Sequence, residues 1–297
     1  MEKMSQYQRL LKDIVDRGVR TPSQQGIDAI TLIGPNPMRF RLAEGFPMIT
    51  ERNMAPKISD NLPVTVWEQA IGEICCFING GRTLAELEKF GCSWWRNWAT
   101  PEKCAKRGLP AGDLGPGSYG PAFHDFPTKD GQVFNQFKHI IEQIQEEPQL
   151  RTHFVSPWIP QSIGRGKGKQ QQVVVAPCHG WVHLRVIDGK LTLHMFQRSA
   201  DTPVGVPSNM VQYGALLMMI AQVTGLEAYE YVHSFSDAHI YVDQMPAVET
   251  MLAREARSLP QLLLDPSVKD LFAFRREHFT LKNYNPHPGI KAIPVAI

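Results

Sequence analysis

Leu10, Leu11, Ile14 and Val15 recur at helical spacing near the start of the chain, which predicts an amphipathic helix ending near Gly18. Ala29–Ile33 and Met38–Leu42 read as short strands on either side of the Gly34-Pro35-Asn36-Pro37 turn. From Val64 to Gly80 the period is helical again, with Trp67, Ile71, Ile74 and Phe77 on the buried side and Glu73 among them. Pro101 to Pro127, rich in Gly and Pro, reads as an irregular surface loop. A helix over Phe134 to Gln145 and a strand over His153–Trp158 follow, then a flexible basic loop, Gly164 to Lys169. Trp181–Ile187 and Leu191–Gln197, joined by Asp188-Gly189, have the pattern of a tight hairpin. Met210 to Thr224 is apolar all round and predicts a central helix. Short strands are expected at Tyr229–Val232 and Leu281–Tyr284. Without an internal repeat or a linker, the pattern predicts a single α+β domain over residues 1–297, a sheet with one buried helix.

Composition narrows the function. The chain has 297 residues, 43% hydrophobic and 20% charged, the balance of a soluble globular protein rather than a disordered one. A net charge of +2 argues against bulk binding to nucleic acid or acidic membrane. The N-terminus lacks the apolar core of a signal peptide, and the stretch Gly214–Val223 is too short to span a bilayer. Five cysteines, Cys75, Cys76, Cys92, Cys104 and Cys178, include no CxxC pair and are odd in number, so a reducing, cytoplasmic setting is expected.

Cys178 stands out by its company. It follows Pro177 where a loop enters a strand, and the hairpin returns the chain to Gln197-Arg198-Ser199-Ala200-Asp201 beside it. A guanidinium near the thiol favours thiolate and also offers a site for an anionic substrate. His179, adjacent on a strand, points to the opposite face and is poorly placed as a protease-type base. Zinc held by Cys178, His179 and His183 would need a fourth ligand and would split its ligands across two faces, so no metal is expected. The Gly164–Lys169 loop lacks the closing Gly-Lys-Ser/Thr of a phosphate-binding P-loop.

Ala176-Pro177-Cys178-His179, Gln197-Arg198-Ser199-Ala200-Asp201, Gly205-Val206-Pro207-Ser208-Asn209 and Asp237-Ala238-His239-Ile240-Tyr241 together resemble the thymidylate synthase family in order and spacing. The likeness extends to Arg20-Thr21, Glu73, Trp95 and Trp98, Asp113-Leu114-Gly115-Pro116 and Pro286-His287-Pro288-Gly289-Ile290-Lys291. It implies a thymidylate synthase-like α+β fold, a homodimer with a large twisted mixed sheet at the interface and a central buried helix. It also implies a pyrimidine nucleoside monophosphate as substrate and 5,10-methylenetetrahydrofolate as co-substrate.

By this resemblance Cys178 is the nucleophile, and Arg20, Arg198, Ser199 and a partner subunit's Arg151 hold the phosphate, with Gln197 also in the substrate site. Asn209, at the opening of the central helix, would read the O4 and N3–H edge of uracil, whereas an Asp would suit cytosine; its bland alternative is a helix cap. His239 and Tyr241 share a strand face and match the contacts to the sugar 3′-hydroxyl. Glu73, raised in pKa by its apolar face, would relay protons, and Tyr119 would assist loss of the C5 proton. Asp201, Trp95, Gly205 and the terminal Ile297 carboxylate fall on the folate side.

The chain departs from the family pattern in several places. Arg151-Thr152 replaces an arginine pair, and Gly115-Pro116-Gly117-Ser118-Tyr119 carries an extra residue. Ser208 stands in place of Phe, Thr202-Pro203 is unusual, and the tail Lys291–Ile297 is one residue longer. Two products are compatible with these motifs. Trp95 and the retained tail favour hydride transfer to give dTMP, while Val175, Ser208 and the altered tail favour a wetter site and a hydroxymethylated pyrimidine from dUMP, dCMP or CMP. A non-catalytic nucleotide or nucleic-acid binding protein is the remaining reading.

Overall fold

In a computed structural model of the chain, residues 4–59, 62–291 and 293–296 are described. The main sheet has seven strands: β1 (Val19–Thr21), β2 (Ala29–Ile33), β3 (Met38–Arg41), β4 (Phe154–Val155), β5 (Trp181–Ile187), β6 (Lys190–Asp201) and β7 (Glu227–Tyr241). Their order is β1-β2-β7-β6-β5-β4, with β3 pairing to the first half of β7 and β2 to its second half. β6 and β7 run parallel while every other pair is antiparallel, so the sheet is mixed. Asp188 and Gly189 have φ of 50° and 73°, the left-handed pair that a two-residue hairpin turn requires.

The parallel pair needs a crossover, and the apolar segment supplies it as helix α4 (Gly205–Thr224), labelled after α1 (Gln6–Arg17), α2 (Val66–Ile78) and α3 (Tyr119–His124). Ser5 and Thr65 open α1 and α2 with reciprocal capping boxes, to Gln8 and Glu68. Gly225, at φ 72°, ends α4. α4 packs on β6, β7 and α2, and is buried along nearly its whole length.

Alternation along the strands separates two faces. Val182, Leu184, Leu193, Met195 and Tyr231 point inward and are fully buried against the helices. The outer face carries Phe154, Ile187 and Phe196, 50%, 62% and 38% exposed, among paired His183 and His194 and a Glu230 carboxylate bridged by Arg39 and Arg41.

Several elements differ from the sequence expectation. The Pro101–Pro127 segment is not a surface loop. It contains helices Pro101–Ala105 and Tyr119–His124, and Leu114, Ser118, Tyr119, Ala122 and Phe123 are buried, because its glycines allow close packing rather than exposure. α4 starts at Gly205, five residues before its apolar run, so Asn209 lies within the helix and is not its cap; Pro207 is tolerated in the first turn, where no N–H is needed. β6 continues to Asp201, and β7 runs for 15 residues rather than four, its second half disguised by Ser234, Ser236, Asp237 and His239. The strand at His153–Trp158 shrinks to Phe154–Val155, the helix at Phe134 begins at Gln136, and the last strand is Phe279–Lys282.

α3 lies so close to the turn after α2 that a Cβ on Gly120 would sit 2.0 Å from the Gly81 carbonyl oxygen. Gly120→Ala is therefore expected to lower unfolding free energy by about 1–3 kcal/mol in a urea titration. An unchanged midpoint would show that the two backbones are not in fixed contact.

Candidate active site

The loop before β5 is pinned to the end of β6. The Cys178 carbonyl accepts from the N–H groups of Arg198 at 2.7 Å and Ser199 at 3.3 Å. Arg198 turns back on the same loop, donating from Nε to the Pro177 carbonyl at 3.2 Å and from Nη2 to the Ala176 carbonyl at 3.4 Å. That Nη2 lies 3.5 Å from Cys178 Sγ, the juxtaposition that the hairpin argument predicts. The guanidinium is also 5.6 Å from the Trp158 ring centre. Burial nevertheless raises the Cys178 thiol above its ordinary pKa; Arg198 opposes that rise and Asp237 adds to it. Arg198 therefore favours the thiolate, as its place beside the hairpin predicts, and burial acts against it. Cys75, Cys76, Cys92 and Cys104 are fully buried free thiols, while Cys178 is partly open.

Tyr119 stands directly behind the thiol, its Oη accepting from the Cys178 N–H at 2.7 Å. The segment before it forms a tight turn, with Gly115 at φ 97° and Ser118 Oγ donating to the Gly115 carbonyl at 2.7 Å. The Tyr119 ring stacks on His179 at 4.5 Å and on Phe77 at 4.8 Å. His179 turns away from the thiol: its Nδ1 is bonded to Tyr213 Oη at 2.7 Å, and burial lowers its pKa to about 3, so it is a neutral, packed imidazole.

Glu73 is buried on α2, and burial raises its pKa against three side-chain donors. Trp94 Nε1 at 2.6 Å and Trp95 Nε1 share Oε1, and Gln212 Nε2 takes Oε2. From there a chain of amides leads to the sheet. Asn209 Nδ2 donates to Gln212 Oε1 at 2.9 Å, Gln197 Nε2 donates to Asn209 Oδ1 at 3.0 Å, and His233 Nε2 lies 2.8 Å from Gln197 Oε1. Gln197 and Arg198, neighbours on β6, so connect this chain to Cys178.

Asp201 closes the same end of β6. Its carboxylate accepts from the Val204 N–H at 3.2 Å and from Gln244 Nε2 at 3.2 Å, and burial raises its pKa to about 6. Gln244 Nε2 also donates to the Pro294 carbonyl at 2.9 Å, which fastens the C-terminal tail here. Gly205, the first residue of α4, adjoins Asp201. His239 and Tyr241 share a face of β7 with rings 5.1 Å apart; Asp237 holds His239 Nδ1 at 2.8 Å, and burial pushes the Tyr241 hydroxyl up to about 12.

Other candidates stand apart. Arg20 pairs with Asp28 at 2.8 Å on an edge strand, and Arg151 is exposed with its carbonyl held by His183 Nε2 at 3.1 Å. In the basic loop, Arg165 bonds Gln171 and, at 3.1 Å, Gln24, near Arg20. Ile297 lies outside the described residues.

The family model for thymidylate synthase matches residues 5–297. The chain belongs to the thymidylate synthase family. Members transfer a one-carbon unit to a pyrimidine nucleotide with methylenetetrahydrofolate as co-substrate. Among the described residues no three His, Cys, Asp or Glu side chains gather as a metal site, and no helix is long and apolar enough to cross a membrane.

Gln212, His233, Trp94 and Gln244 were not singled out by the sequence reading. Gln212 alone carries a local signal: a long amide among the apolar residues of α4, three residues from Asn209 and so on its face.

If Asp201 takes the folate-side place that the sequence resemblance implies, its buried carboxylate accepts from the amide and amino edge of a pterin when ionised. Folate binding is then expected to weaken as pH falls through about 6, approaching tenfold per unit below it. Asp201→Asn should bind weakly and without that inflection; an unchanged profile in the variant would remove Asp201 from the folate site.

Proposed function

We propose that this protein converts dUMP to dTMP, the Cys178 thiolate adding to C6 of the pyrimidine. The observation that carries the reading is Cys178 Sγ 3.5 Å from Arg198, at one end of a polar chain that continues through Gln197 and Asn209 to Glu73. Arg198 holds the substrate phosphate with Ser199, Arg20 joins them on leaving its pairing with Asp28, and the Arg198 charge, together with displacement of solvent, favours the thiolate. Adding sulfur to C6 moves the ring's π pair towards O4, which makes C5 nucleophilic. Asn209 accepts from N3–H and donates to O4, and Glu73 supplies or takes the proton there. Methylenetetrahydrofolate supplies the one-carbon unit and, in this reading, the hydride that completes the methyl group. Tyr119 assists loss of the C5 proton, and release of Cys178 restores the thiol. His239 and Tyr241 donate to the sugar hydroxyl.

Trp95, fixed on Glu73, and the tail fastened through Gln244 favour a closed, dry site. The outer sheet face, with Phe154, Ile187 and Phe196 open, supports a homodimer in which Arg151 reaches the partner's phosphate site. The chain acts as one domain in the cytoplasm. A second reading, hydroxymethylation by water, is favoured by Val175 and Ser208, small partly open side chains where a bulkier residue would exclude solvent.

Mass spectrometry of products from dUMP, dCMP and CMP with methylenetetrahydrofolate decides between them. The expected outcome is dTMP with stoichiometric dihydrofolate; hydroxymethyl-dUMP without dihydrofolate would sink the methylation reading. Cys178→Ala should abolish turnover, by at least about 10³-fold, while retaining weak dUMP binding. Surviving turnover would show that another group is the nucleophile.

A further inference from the structure

An asparagine amide reads a pyrimidine only if it is held one way round. With Oδ1 towards ring position 3 and Nδ2 towards position 4 it complements uracil; rotated by 180° it complements cytosine, whose N3 accepts and whose amino group donates. The two orientations have nearly the same shape, so packing alone does not choose between them. Hydrogen-bond direction does.

That direction is set from both sides of Asn209. On the sheet side, Gln197 Nε2 lies 3.1 Å from the Ser199 carbonyl, which accepts only, so Gln197 presents a donor and Asn209 answers with Oδ1. The opposite end of Gln197 is Oε1, and His233 must then carry its proton on Nε2; its Nδ1 has no partner among the described residues. On the helix side, an ionised Glu73 carboxylate only accepts, so Gln212 gives Nε2 to Oε2, the oxygen left free by Trp94 and Trp95 on Oε1. Gln212 Oε1 is thereby turned to Asn209, which answers with Nδ2 at 2.9 Å. Gln197 and Gln212 are both buried, and water has little access to exchange these partners. One lone pair on Oδ1 and one hydrogen on Nδ2 remain for a ligand.

We propose that Gln212 is a positioning residue that locks the Asn209 amide in one of its two orientations and so sets the choice between uracil and cytosine. It bridges a carboxylate on one helix to the base-reading amide on another, and it touches no substrate. Without it, Asn209 keeps one directional partner, and rotation towards the cytosine-reading orientation meets less resistance. The inference rests on the reading above in which Asn209 contacts the pyrimidine edge.

The test is equilibrium binding of dUMP and dCMP to the full-length protein, by calorimetry, which needs no turnover. Gln212→Met removes both polar ends of the bridge, and Gln212→Asn keeps an amide one methylene too short to span Glu73 and Asn209. Both should lower the dUMP:dCMP affinity ratio by at least about fivefold, the lower end of what a bidentate base contact discriminates. Gln212→Glu, which keeps an oxygen facing Asn209 and shares a proton with Glu73, should hold the ratio within about twofold of the parent. A purely structural role would weaken both nucleotides alike, so an unchanged ratio in a folded Met or Asn variant overturns the proposal. Asn209→Asp is measured in parallel. If it fails to shift preference towards dCMP, the reading of Asn209 is wrong; if it shifts preference and the Gln212 variants do not, only the lock is wrong.

Discussion

A carboxyl group buried in an apolar helix has to be given hydrogen-bond donors, because in a low-dielectric interior an unmatched carboxyl costs more than most single contacts return. Glu73 imposes that requirement on this fold. Its donors come from two different places: Trp94 and Trp95 from the segment between α2 and α3, and Gln212 from α4. Once Gln212 is committed to Glu73, its remaining oxygen directs Asn209, and Asn209 in turn meets Gln197 on β6. A single buried acid thus couples α2, α4 and the sheet through polar contacts across a core that is otherwise apolar.

The parallel pairing of β6 and β7 makes this coupling possible. It places Ser199 opposite Asp237 and Asp201 opposite His239, so two motifs separated along the chain become one row at the end of the sheet. The connection between the strands must cross the sheet, and α4 does so with Asn209 and Gln212 on one face, above Gln197. The hairpin partner of β6 brings Cys178 to the same row. Chemistry gathers where β6 outruns its pairing with β5, which stops at Phe196. Beyond that point the backbone of β6 is free to bind the Cys178 loop instead of another strand.

Legibility in the sequence followed the strength of local signals. The β5–β6 hairpin was legible because Asp188-Gly189 marks a two-residue turn, and α2 was legible from its period, with Glu73 conspicuous within it. The start of α4 was hidden, since Gly205, Pro207 and Ser208 are weak helix formers held in place by tertiary contacts. The second half of β7 is hidden because Ser234, Ser236, Asp237 and His239 break the alternation that marks a strand. α3 was read as loop because its glycines serve packing. Cys178 beside Arg198 follows from the hairpin and Glu73 from its apolar neighbours, the other candidates follow from motif resemblance, and the contacts joining them, Gln212 to Glu73 above all, depend on long-range packing that no local pattern encodes. The net direction of the Cys178 shift depends on burial in the same way, whereas the opposing influence of Arg198 is visible in the sequence.

Acid, amide and thiol belong to one connected set of contacts, the arrangement that the proposed addition of sulfur to an unreactive ring carbon requires. The central claim is that Cys178 is the group that bonds to the pyrimidine, whichever way the later steps run. It is tested most directly with 5-fluoro-dUMP and methylenetetrahydrofolate, because fluorine at C5 blocks loss of the proton and halts the reaction while the ring is still attached to sulfur. Peptide mass spectrometry of the halted protein should find the nucleotide and the one-carbon carrier on the peptide bearing Cys178. Attachment at another residue, or no covalent product from a protein that turns over dUMP, would contradict the account.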